Sequence, residues 1–84
     1  MDNIPSVNIV KTGQNIIKLR QGAGLTVRDL QKILGFTTPQ AIYKWQQGLS
    51  LPTVDNLVVL ATVFNVTVDE IIAIDTGLNG SCLA

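Results

Sequence analysis

Histidine is absent from these 84 residues, and cysteine occurs once, as Cys82. The first absence removes the usual general base and the commonest metal ligand, and the second excludes an internal disulfide. Neither a zinc site nor a covalent staple is expected to hold the fold. Charged side chains are scarce too, at 14% against about 25% in an average soluble protein. Because 46% of the residues are hydrophobic, that scarcity points to one dense core in a single domain and not to disorder. No apolar run reaches the ~18 residues of a membrane span, since Asp55, Asn56, Asn65, Asp69 and Glu70 interrupt the richest region. The opening MDNIPSVN is acidic and has no basic stretch followed by an apolar one, so no signal peptide is expected and a cytoplasmic location is. Cys82 stands third from the last residue, outside a prenylation box, and is expected to be an inert thiol. Catalysis has little to build on. There is no phosphate-cradling glycine loop, nucleophile motif or metal-ligand cluster, and the acids Asp2, Asp29, Asp55, Asp69, Glu70 and Asp75 are scattered, so neither an enzyme nor a cofactor is expected.

What is present is polarised. Net charge is zero, yet Lys11, Lys18, Arg20, Arg28, Lys32 and Lys44 all fall within residues 1–50 beside only Asp2 and Asp29, leaving +4 there. Residues 51–84 carry four acids and no base, hence −4. Such asymmetry suggests one face suited to a polyanion and another kept away from it, although so few charges can also cluster by chance.

Turn signals divide the chain into five short helices, with no room for paired strands. The first is expected over residues 12–21, with Ile16, Ile17 and Leu19 apolar. Thr12 is one candidate cap; Gly13 weakens an earlier start at Asn8, and Val7 to Val10 remain open between strand, arm and helix. Gly22-Ala23-Gly24 stops it. Thr26 and Asp29 have the spacing that caps a second helix, Val27 to Leu34, closed by Gly35. A third is expected with Thr38 as N-cap and Pro39 in its first turn, running to Gln46 or Gln47. It buries Ala41, Ile42 and Trp45 and turns Gln40, Tyr43 and Lys44 outward. Thr53 caps a fourth, with Val54, Leu57, Leu60, Ala61 and Phe64 inward. Thr67 and Glu70 open a fifth, whose apolar face is Val68, Ile71, Ile72 and Ile74. The expected fold is all-α, a compact five-helix bundle: residues 1–11 as an N-terminal arm, 12–75 as the domain and 76–84 as a flexible C-terminal tail.

Helices two and three, joined by a short glycine-containing turn, match the helix-turn-helix unit whose second helix enters the DNA major groove. Gln40, Tyr43 and Lys44 would then present an amide, a phenol and an ammonium to base edges or phosphates. A helical hairpin with a solvated polar face has the same periodicity. Trp45 lies on the inward stripe with Ile42, which favours core packing over base stacking.

The run from Thr12 to Ile72 resembles the phage-repressor and Cro type of helix-turn-helix regulator, the XRE-like family. The matching positions are Gly13, Leu19-Arg20, Gly24-Leu25-Thr26, Leu30, Leu34-Gly35, Ile42, Trp45, Gly48, Pro52, Leu57 and Val66 to Glu70. The resemblance implies a sequence-specific DNA-binding transcriptional regulator, expected to be a repressor. Pro39, Gln40, Tyr43 and Lys44 would face bases, with Thr38 capping near the phosphate. Arg28 and Lys32, one turn apart on the second helix, are candidates for phosphate contact or plain surface charges. Arg20 is equally open between DNA and an internal partner. The implied partners are double-stranded operator DNA and a second copy of the chain, with helix five, Leu78 and Leu83 as candidate dimer surface; no metal or membrane is implied. Two departures stand out. The segment between Gly35 and Ile42 is one residue longer than usual, and Val27 replaces a frequent phosphate-clamping glutamine. That loss and the zero net charge support a rival, a protein-interaction adaptor built on the same fold.

Overall fold

The structure is a computed structural model that describes residues 4–75. The expected tail, with Leu78, Cys82 and Leu83, lies outside the described residues. Along the chain come β1 (Ser6–Val7), α1 (Ile9–Gly22), α2 (Val27–Leu34), α3 (Gln40–Gln46), α4 (Val54–Phe64), α5 (Val68–Ile71) and β2 (Ile74–Asp75).

Local chemistry explains most boundaries. In α2, the Thr26 hydroxyl accepts from the Asp29 amide at 3.0 Å while the Asp29 carboxylate accepts from the Thr26 amide at 2.9 Å, and Gly35 ends the helix at φ 73°. Two of the orphan donors at the helix start are thereby satisfied. In α4, the Thr53 side chain accepts from the Asn56 amide, and Asn65 takes the left-handed conformation that closes the helix.

The helical start of the chain differs from expectation. Asn8 is the cap of α1, its Oδ1 accepting from the Lys11 amide at 2.9 Å, so residues 9–11 are the first helical turn and not part of an arm. Thr12, the other candidate cap, is buried instead, and its hydroxyl accepts from the Ala73 amide at 3.0 Å. A second difference lies at the end. Helix α5 lasts four residues, Ile72 is already extended, and Ile74 leaves the helix to pair with β1. The two strands run antiparallel, Ser6 opposite Asp75 and Val7 opposite Ile74. Two-residue strands carry no alternation to read, and their pairing depends on residues far apart in sequence.

Around this ribbon the exit from α5 is fastened to α1. The Asn8 amide donates to the Ala73 carbonyl at 2.7 Å, Asn15 Nδ2 to the Ile71 carbonyl at 2.9 Å, and Asn8 Nδ2 to the Asp75 carboxylate at 3.1 Å. The core receives one fully buried side chain from each helix: Ile16, Leu30, Ile42, Leu60 and Ile71. Trp45, Leu57, Ala61 and Phe64 complete it. Val54, expected inward, is 75% exposed at the first position of α4, directly after the Thr53 cap.

Candidate nucleic-acid interface

Helix α3 has no side-chain cap at its start. Thr38, expected to cap it, is exposed and makes no such bond; Pro39 occupies the N-cap position at φ −86°, ψ 6°, and its carbonyl accepts from the Tyr43 amide at 3.1 Å. Proline is thus the half-in flanking residue and not part of the first turn, a correction that shortens the helix to seven residues. Packing does what the cap does not. Ile42 is fully buried and Trp45 is 4% exposed, with the Phe36 ring edge-on to the indole at a centroid separation of 5.8 Å. Trp45 is therefore a core residue and offers no stacking platform.

The opposite side of α3 is open. Gln40 and Lys44 are exposed, Tyr43 is 46% exposed and Pro39 is half-buried. These side chains follow the i, i+3, i+4 row of one helix face. Gln47 continues the row at i+7 from Gln40 and is also exposed, with helical backbone angles. The same 3.6-residue period places it there, although its position at the helix end gives no sign of it in the sequence. Ahead of α3, Gly35, Phe36, Thr37, Thr38 and Ala41 line a shallow hollow of 380 Å³ at the turn between α2 and α3. Thr37 and Thr38 lie exposed in that turn.

Arg28 and Lys32 are exposed one turn apart on α2. The Asp29 carboxyl between them is held below its ordinary value by the Thr26 backbone hydrogen bond first and the Thr26 hydroxyl second. Arg20 does not stand free. Its Nε donates to Gln46 Oε1 at 3.1 Å and its Nη1 to the Leu25 carbonyl at 2.9 Å, joining α1, the approach to α2 and the end of α3. On α5, the surface expected for dimerisation, Ile71 is fully buried and Ile72 packs on the core. Exposed aliphatic side chains include Ile4, Val10, Ile33, Leu49, Leu51, Val54, Val58 and Ile74. Among the described residues no group of acids and cysteine is placed to hold a metal, and no helix is long and apolar enough to cross a membrane.

Two comparisons bear on this arrangement. The family described as helix-turn-helix matches residues 16–71, from the middle of α1 to the end of α5. Among solved structures, the restriction-modification controller protein C.AhdI from Aeromonas hydrophila is similar, with a TM-score of 0.66 and 25% identity over 75% of this chain and 94% of that one. No match is found among curated protein sequences. With the α2–turn–α3 geometry in place and the family match covering most of the chain, the protein belongs to the helix-turn-helix family of the phage-repressor and Cro type.

Proposed function

We propose that this protein is a DNA-binding transcriptional regulator that lays α3 in the major groove of operator DNA and represses the promoter the operator overlaps. The observation that carries this reading is the division of α3 itself: Ile42 and Trp45 anchor one side in the core while Gln40, Tyr43 and Lys44 stand outward on the other. Gln40 suits an adenine edge, for which an amide offers both a donor and an acceptor. Tyr43 is a second base contact. Lys44, with Arg28 and Lys32 from α2, supplies cations for phosphates, and Thr38 adds a hydroxyl beside them.

One seven-residue helix contacts few base pairs, so the acting species is a two-fold pair on a near-palindromic site, its two α3 helices about 34 Å apart. The exposed aliphatic side chains Leu49, Leu51, Val54 and Val58, close in sequence from the end of α3 into α4, support self-association there. Sedimentation at micromolar concentration tests this part, and a 9.0 kDa species alone counts against the pair.

Selection of bound sites from random DNA, followed by salt titration, tests the whole reading. Binding to the selected site should weaken steeply with salt, by about 0.9 log unit per tenfold salt for each phosphate neutralised. Failure to enrich any sequence, or affinity indifferent to salt, overturns it.

A further inference from the structure

Glycine is a poor helix former, yet α1 carries Gly13 in its interior, buried. The reason is space. A Cβ at this position would overlap the carbonyl oxygen of Trp45 and come within 2.9 Å of that of Gln46. Those two carbonyls belong to the last turn of α3, immediately after Tyr43 and Lys44. The same side of α1 meets the end of α3 twice more. Three residues earlier, Val10 lies against Gly48, where a Cβ would fall 3.0 Å from the Val10 Cα. Seven residues later, Arg20 holds the Gln46 side chain.

From this seam we infer that Gly13 is a positioning residue for DNA reading: it sets how deeply the last turn of α3 seats against α1, and through that the stance of Gln40, Tyr43 and Lys44. The inference rests on the DNA-reading function proposed above. Helix α3 has no side-chain cap of its own, so its attitude is imposed from outside. Restoring ordinary contact around a new Cβ requires the last turn to move by about an ångström. Hydrogen bonds to base edges tolerate only a few tenths of that. Lysine ammoniums on flexible stems follow a phosphate through such a shift. Base discrimination should therefore suffer while general affinity for DNA survives.

The test compares Gly13→Ala with the wild-type protein on two DNAs, the site that the wild type selects from a random pool and random-sequence duplex. Both are measured at one salt concentration and at a temperature where circular dichroism shows each protein fully folded. Gly22→Ala is the control, since glycine there is in the same helix with open space around it. Gly13→Ala should lose about tenfold or more of the selected-to-random affinity ratio, with random-DNA affinity within about twofold. Its amide resonances from Tyr43 to Gly48 should shift, and Gly22→Ala should match the wild type in both respects. A folded Gly13→Ala protein with an unchanged ratio overturns the inference. Should that variant not fold, Val10→Ala decides, because the exposed Val10 lies against Gly48 at the neighbouring point of the seam. A twofold to fivefold fall in the ratio supports the inference, and no fall overturns it. A wild type that selects no sequence overturns the function itself, a separate failure visible before any variant is made.

Discussion

Helices α2 and α3 are neighbours of eight and seven residues, yet they are held in opposite ways. Helix α2 is specified from within: a reciprocal cap at Thr26 and Asp29 opens it and a left-handed Gly35 closes it. Helix α3 has no side-chain cap, and its shape is secured by Ile42 and Trp45 in the core and by α1 along its last turn. A helix proposed to read DNA thus need not be a strong helix in isolation. Polar side chains kept out of capping duty remain available to a ligand.

The comparison can be broken most forcefully at Ile42. Truncation to alanine should destabilise the protein by about 3 kcal/mol in urea denaturation, as for other fully buried aliphatic residues. A loss below about 1 kcal/mol would mean that α3 does not depend on its packing. At the next level, Thr26→Ala should destabilise by about 1 kcal/mol, whereas Thr38→Ala, which removes no cap, should stay within about 0.5 kcal/mol. Equal losses from the two threonines would erase the distinction.

Acid sharpens the same contrast. The carboxyl of Asp29 titrates lower in the folded protein than its ordinary 3.8, so the unfolded chain takes up the proton first. The contribution of the capping box is accordingly complete above 3.8 and fades as pH falls through the folded-state value. Thermal melts on acidification should show Asp29→Asn less stable than wild type at neutral pH and less sensitive to acid below 3.8; parallel profiles would contradict the assignment. The smallest stability change belongs to Gln40→Ala, within about 0.5 kcal/mol by chemical denaturation because the residue is exposed. Selection from random DNA should nevertheless show relaxed preference at one base position.

Where a boundary is written in adjacent residues, the sequence discloses it. The bounds of α2 follow from Thr26, Asp29 and Gly35, and the outward row Gln40, Tyr43, Lys44 follows from the 3.6-residue period. Contacts between distant residues are what escape such reading. Gly13 reads as an argument for a late start to α1; its reason, the carbonyls of α3, lies some thirty residues away. The partner of Arg20 is a glutamine rather than an acid, so charge pairing gives no hint of it. Ile74 fits the apolar period of a fifth helix, but Ile72 turns extended, and the segment gains its hydrogen bonds from Ser6, Val7 and Asn8 instead. Val54 shows the converse, an apolar residue in phase with the helix yet left exposed at its first position.

Because Val7 and Ile74 face one another across the ribbon, positions 6 and 75 lie side by side. A peptide bridging positions 6 and 75 would need to span little more than the separation of two strands, and the chain could be reopened at the exposed Leu49 between α3 and α4. By the same geometry, modules grafted ahead of β1 and behind β2 would emerge side by side from one point on the surface, as a matched pair of handles on the protein.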